Sequence, residues 1–291
     1  MEIVDNKSLL LTVRNPQRIT TVIPKSKDIG EGKVLVKWGL DEVQVLKNLN
    51  IRNVPSPILG QYAWTGQHKP FEHQRTTSAF LTLNRRAFCL NEQGTGKTGS
   101  VIWAADFLMK QKRIKRVLVI CPLSIMDAAW RTDLFKFAMH RTVDIAYGNA
   151  NKRRAVINGG AEFVIINYDG VEIVQQDIYN AKFDLIVVDE ANAYKNAQAK
   201  RWKVLNNLLT PDTWLWMLTG TPAAQSPLDA YGIAKLVNPK GVPRFFTTFR
   251  DMVMVKLTMF KYAPKIDAAK IVHEVLQPAI RFTKDKCLDL P

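Results

Sequence analysis

At 291 residues, with 47% hydrophobic and 23% charged side chains, the chain can bury a sizeable core and lies far from the composition of a disordered segment. No stretch reaches the ~18–20 consecutive apolar residues of a membrane-spanning helix. Glu2, Asp5 and Lys7 precede Leu9-Leu10-Leu11, which is not the layout of a secretion signal. The net charge of +15 favours a polyanionic partner and excludes nothing else by itself.

Residues 1–60 read as a small α+β accessory module. Leu9–Val13, Ile19–Ile23 and Val34–Trp38 have the look of short strands, and Asp41–Leu49 has helical spacing with Asp41 as its cap. Val54-Pro55-Ser56-Pro57 reads as an extended linker. Nothing in this stretch points to a chemistry.

Residues 61–291 alternate between buried strands and helices. The strands expected are Ala87–Leu90, Val117–Cys121, Val143–Tyr147, Phe163–Asn167, Leu185–Asp189 and Trp214–Leu218. Helical periodicity fills most gaps between them, at Val101–Met109, Ile125–Phe137, Arg153–Ile157 and Lys200–Leu208. Such alternation predicts an α/β domain with a mostly parallel sheet and helices on both faces. Cys89 and Cys121 fall in apolar strands and Cys287 stands apart, so the cysteines read as thiols of an intracellular protein, cytoplasmic or nuclear (or nucleoid). His68, His73, His140 and His273 show no metal-ligand spacing.

Asn91-Glu92-Gln93-Gly94-Thr95-Gly96-Lys97-Thr98 follows the strand Ala87–Leu90 and opens a helix. That context makes it a Walker A loop, although Asn91 stands where the strict pattern has Gly. Gly94, Thr95 and Gly96 would offer backbone N–H groups to phosphate oxygens, and the helix dipole adds positive potential there. Lys97 would reach the β- and γ-phosphates, and the Thr98 hydroxyl would ligate Mg²⁺. Asp184-Leu185-Ile186-Val187-Val188-Asp189-Glu190 is a matching Walker B strand. Asp189 would hold the metal while Glu190 orients the attacking water. Both motifs end strands, so they should meet at the carboxyl edge of one sheet, with ATP and Mg²⁺ as the implied cofactors.

The charge is uneven. Its excess concentrates in residues 61–160, around Arg85-Arg86, Lys110 to Arg116 and Lys152-Arg153-Arg154. Beside an ATP site this favours nucleic acid over an ordinary solvated face.

Taken in order, these motifs resemble helicase superfamily two, and within it the SWI/SNF-like DNA translocases, over residues from about 69 to 291. The resemblance implies a RecA-like ATP-binding lobe. Lys69-Pro70-Phe71-Glu72-His73-Gln74 is similar to the family's adenine-reading element, which gives Gln74 the adenine edge; a solvated helix-start residue is the plainer reading. Val119 to Ser124, followed by Trp130, resembles a strand-loop-helix on the DNA backbone, with Ser124 either holding a phosphate or simply capping a helix. Asn167-Tyr168-Asp169 occupies a further DNA-facing position, and Thr219-Gly220-Thr221-Pro222 resembles the motif coupling phosphate sensing to DNA. Asn238-Pro239 follows at a family-like distance, and Arg281, Lys284 and Leu290-Pro291 resemble the exit from the first motor lobe.

Asn192 and Ala193 stand where many relatives carry His and Arg. The family also has a second lobe, which supplies an arginine finger and is expected in the complete protein. The function implied is an ATP-dependent duplex-DNA translocase or helicase-like remodeller, with DNA and no membrane as partner. The alternatives are a P-loop ATPase of another branch and a non-catalytic binding module.

Overall fold

The structure is a computed structural model that describes residues 1–287 apart from Ala224 and Phe260. Leu290 and Pro291 lie outside the described residues. Four short strands come first: β1 (Glu2–Val4), β2 (Ser8–Thr12), β3 (Lys27–Asp28) and β4 (Lys33–Lys37). They form an antiparallel sheet in the order β1-β2-β4-β3. Alternation sends Leu9, Leu11, Val34 and Val36 to one face, where Ile19, Val43 and Leu46 close a small core.

Ile19–Ile23 is not a strand. Pro16 has φ −58°, and the carbonyl of Pro16 accepts from the N–H groups of Ile19 and Thr20, so the chain turns through a short helix, Gln17–Thr20. Ile19 and Ile23 lie four residues apart, and a helical turn buries both as readily as a strand would. The helix Leu40–Asn48 starts after Gly39, so Asp41 sits in its first turn, not at its cap. There Asp41 complements the dipole and pairs with Arg113 at 2.5 Å. The expected linker is packed: Val54 and Ser56 are buried, and Ser56 Oγ lies 2.7 Å from Thr82 Oγ1. Beyond it, Ile58 and Tyr62 join Ala79, Trp103 and Phe107 in one apolar cluster, which ties the two sheets' surroundings together.

The large sheet contains β5 (Arg86–Cys89), β6 (Val117–Cys121), β7 (Val143–Ala146), β8 (Phe163–Asn167), β9 (Leu185–Val188) and β10 (Trp214–Leu218). After a small antiparallel pair, β11 (Met254–Lys256) and β12 (Tyr262–Pro264), the chain returns as β13 (Ala279–Ile280) on the sheet's edge. The order is β13-β5-β10-β9-β6-β8-β7, and every pairing is parallel.

Strands β6 and β9 are buried at every residue, as helices on both faces require. Leu118, Ile120, Ile186, Val188 and Met217 face one core; Val117, Val119, Leu185, Val187 and Trp216 face the other. Edge strand β7 is mostly half-exposed. This is the α/β architecture of a RecA-like lobe.

The stretch Ile125–Phe137 is not one regular helix. It runs as a 3₁₀ turn (Leu123–Ile125), a π-helical turn (Met126–Arg131) and an α-helix (Thr132–Phe137). Wider π turns recur at functional positions, and this one carries Trp130 to full burial.

Candidate nucleotide site

Strands β5, β10 and β9 are neighbours, and the loops leaving their carboxyl ends hold three motifs. The β5 loop, Asn91 to Gly96, leads into the helix Lys97–Lys110. Gly94 (φ 83°) and Gly96 (φ 73°) take the left-handed conformation, which folds the loop back over the helix start. An added Cβ at Gly96 would also displace the tip of the Gln74 side chain. Lys97 turns its ammonium into the loop, 3.0 Å from the Asn91 carbonyl and 3.1 Å from that of Glu92. Thr95 is buried and donates to the Glu92 carbonyl at 2.8 Å, bracing the loop from within. Thr98 is half-buried on the helix's first turn.

Asp189 follows β9 and continues its ladder, its N–H donating to the Ile120 carbonyl at 2.8 Å. Its side chain is only 9% exposed. Trp130 Nε1 donates to Oδ2 at 3.0 Å and the Glu190 N–H to Oδ1 at 3.0 Å. Burial pushes the carboxyl above its usual range, partly offset by those two bonds and by the nearby Lys97 charge. Glu190 is left-handed (φ 49°), a conformation that costs energy for a non-glycine residue, as it does at several turns elsewhere in the chain. It lies 3.5 Å from the Gln93 amide across the crevice.

The β10 loop completes the cluster. Thr219 is fully buried and pairs its N–H with the Cys89 carbonyl at 3.1 Å. Gly220 packs on the Walker A backbone, with the Asn91 carbonyl 3.5 Å from where a Cβ would stand. Thr221 accepts from Asn192 Nδ2 at its carbonyl (2.7 Å) and its hydroxyl (3.3 Å). Asn192 therefore bridges the loop that follows β9 and the loop that follows β10.

On the flank, Gln74 Oε1 accepts from the Phe71 N–H at 2.9 Å, closing the start of the helix Glu72–Thr82. Gln74 Nε2 and His73 Nε2 lie 3.4 Å and 2.9 Å from the Thr95 carbonyl. Phe71, 62% exposed, stacks against His73 at the mouth of the crevice.

The remaining candidates sit along the same carboxyl edge. Ser124 is exposed within the three-residue 3₁₀ turn after β6 and makes no capping bond there. At the end of β8, Asn167 accepts from buried Arg153 at 2.9 Å, and the hydroxyl of the next residue, Tyr168, donates to the Asp189 carbonyl at 2.6 Å. Burial first, and then the Asp189 charge, raise the Tyr168 pKa.

Three residues have parts that sequence reading missed. Trp130 is buried on Asp189 and faces no solvent. Asn91 bonds Thr77 through its amide and the Phe282 N–H through its carbonyl oxygen, so the missing glycine is a bridge. His73 fixes the Walker A loop. Asn91 carries a signal in its departure from the motif, whereas Trp130 and His73 stand in the sequence only as members of other motifs.

A P-loop beside a paired Walker B strand on a parallel sheet defines the class of RecA-like ATPase lobes. The SNF2-related domain matches residues 72–290, and the chain belongs to that family. It is 27% identical over 239 residues to Helicase SWR1 of Candida albicans, across 76% of this chain and 14% of that protein. It is 24% identical over 174 residues to the SWI/SNF-related matrix-associated actin-dependent regulator of chromatin subfamily A-like protein 1 of Drosophila melanogaster, across 60% of this chain and 22% of that one. The Sulfolobus solfataricus SWI2/SNF2 ATPase core in complex with dsDNA shares the fold, with a TM-score of 0.65 and 22% identity. That match covers 78% of this chain and 48% of the solved one. The chain thus spans less than a quarter of these curated relatives and about half of the solved core.

Proposed function

We propose that this chain is the ATP-binding lobe of an ATP-dependent duplex-DNA translocase or helicase-like remodeller, with residues 1–60 as an accessory module. The observation that carries this reading is the convergence of Lys97, Asp189-Glu190 and Thr219 to Thr221 on adjacent strand ends. Family membership supports ATP use, and the dsDNA-bound relative supports duplex DNA as partner.

The residues suit the implied groups. The left-handed glycines and inward-facing Lys97 fit a polyphosphate. A buried carboxylate whose charged form is disfavoured, Asp189, gains from a cation beside it. Asp189 and the Thr98 hydroxyl would hold Mg²⁺, which when bound neutralises phosphate charge and polarises the γ-phosphate. Lys97 would bind the β- and γ-phosphates, Glu190 would orient the attacking water, and Gln74 with Phe71 would receive the adenine. Asn192, Thr221 and Gly220 would pass the state of that site to the DNA-facing loops at Ser124, Asn167 and Tyr168. Retention of Lys97, Asp189 and Glu190 together weighs against a purely non-catalytic module.

Hydrolysis by the 291-residue chain alone should be slow, because in this arrangement a second lobe supplies an arginine worth ~10³–10⁵ in rate. Two assays test the proposal. In anisotropy titrations, a duplex should bind more tightly than a single strand of equal length. In steady-state assays, the chain should show low turnover without DNA stimulation, and Glu190→Gln should keep ATP binding. Preference for the single strand would contradict the duplex assignment. Robust DNA-stimulated turnover would contradict the need for a second lobe.

A further inference from the structure

The segment that follows β13 is built into the Walker A loop. The Phe282 N–H donates to Asn91 Oδ1 at 3.0 Å, and the Phe282 carbonyl accepts from the Glu92 N–H at 3.0 Å. The Lys284 N–H donates to Glu92 Oε2 at 2.9 Å, and the Phe282 ring lies 5.9 Å from that of His73. The first two loop residues therefore spend a side-chain oxygen each on fixing a segment almost two hundred positions away in sequence. The result is to carry the Lys284 side chain over the loop. Its Cε and Nζ lie 3.2 Å and 3.7 Å from where a Gly94 Cβ would stand. Among the described residues, the Lys284 ammonium enters no ion pair, whereas Lys97 is occupied by the loop's own carbonyls.

We propose that Lys284 is a second phosphate-binding cation of this site, delivered to the glycine turn by Asn91 and Glu92. Its ligand is the polyphosphate of a bound nucleotide, so the inference rests on the nucleotide reading given above. A cation that enters no ion pair among the described residues, held beside an exposed, left-handed glycine, can pair with phosphate oxygens at little reorganisation cost. Gly94 suits this place because any side chain there would meet Lys284. Binding would then draw residues 282–284 more firmly onto the loop, making this segment sensitive to nucleotide.

The test is calorimetric titration of the 291-residue protein with Mg-ATP, Mg-ADP and adenosine, using wild type, Lys284→Ala, Lys284→Arg and Lys286→Ala. Lys286 is exposed on the same turn and controls for the general electrostatic field. Lys284→Ala should weaken both nucleotides about fivefold or more, the scale of one charge-assisted contact at a partly exposed site. It should leave adenosine unaffected, Lys284→Arg should restore most of the loss, and Lys286→Ala should bind as wild type. Nucleotide affinity in Lys284→Ala within twofold of wild type would overturn the inference alone, as would an equal loss in Lys286→Ala. Failure of the wild type to bind nucleotide would overturn the underlying reading.

Discussion

Asp189 shows how much of the site is built by single side chains. Its carboxylate is buried, so the charged form needs help, and Trp130 supplies it through a bond that no spacing rule would have suggested. Ligands held by such an outer contact typically lose ~10–100-fold in metal affinity when it is removed. Trp130→Phe should therefore raise the Mg²⁺ concentration needed for ADP binding about tenfold, in addition to the stability lost by shrinking a fully buried ring and unpairing a buried carboxylate oxygen. An unchanged Mg²⁺ requirement would count against the role given to Trp130.

The raised pKa of Asp189 makes a second prediction. An acid whose folded-state pKa lies above its unfolded value destabilises the fold as pH rises through that interval. Without Mg²⁺ and nucleotide, the melting temperature of Asp189→Asn relative to wild type should fall as pH drops from 7 through the carboxylate range, whatever constant offset arises because Asn offers one acceptor oxygen to the two donors of Trp130 and Glu190. A difference that does not change with pH would contradict the raised pKa of Asp189.

Among the elements, the helix Lys97–Lys110 does two jobs. Its first turn continues the glycine-rich loop, and its far half carries Asp106, which is 0% exposed. The Tyr62 hydroxyl (2.6 Å), Arg141 Nε (2.7 Å), His140 Nε2 (2.8 Å) and Lys110 Nζ (3.0 Å) surround that carboxylate. Burial alone would push its pKa up, but these bonds outweigh burial and hold it below the usual carboxylate range. A depressed pKa contributes stability that is complete above the unfolded value of ~3.9 and lost as pH falls through the folded one. Asp106→Asn should cost about 3 kcal/mol at pH 7, the scale for breaking a buried pair, and should flatten the decline in stability below about pH 4. Urea melts at pH 7 and pH 3.5 measure both; equal stability of the two proteins at pH 7 would contradict it.

The strands β6, β8, β9 and β10 were legible because fully covered strands are continuous apolar runs. The turn at Ile19 was not, since a β-branched run favours strand until Pro16 sets the backbone. Strand β13 has two residues, too few for any periodicity, yet it brings Phe282 and Lys284 to the site. Motif residues were legible, and their supports were not. Those supports come from elements distant in sequence.

At the scale of the molecule, the positive charge concentrated in residues 61–160 is divided between the two ends of the sheet. Arg86 starts β5 and Arg116 immediately precedes β6, at the amino ends of the strands, whereas Lys152 to Arg154 lie on the helix Ala150–Asn158, which follows the carboxyl end of β7. Much of this charge is used internally. Arg85 pairs with Asp212, Arg86 and Arg116 donate to backbone carbonyls, Arg113 pairs with Asp41, and Arg153 is buried. DNA affinity should still fall with salt, with a log–log slope of about −0.9 for each phosphate neutralised. The double substitution Arg85→Ala, Arg113→Ala should leave that slope unchanged, because neither residue lies on the proposed DNA-facing edge. A slope reduced by about two would place the DNA on the opposite face. Among the described residues no helix is long and apolar enough to cross a membrane.

All of this depends on Mg-nucleotide binding in the crevice between Lys97 and Asp189. Calorimetric titration of the 291-residue chain with Mg-ADP, in wild type and in Lys97→Ala, measures it directly. Wild type should bind at a single site, and Lys97→Ala should give no measurable binding, because it removes the cation that Walker A presents to the phosphates. Equal affinity in the two proteins would mean that the loop, for all its geometry, is not a phosphate site.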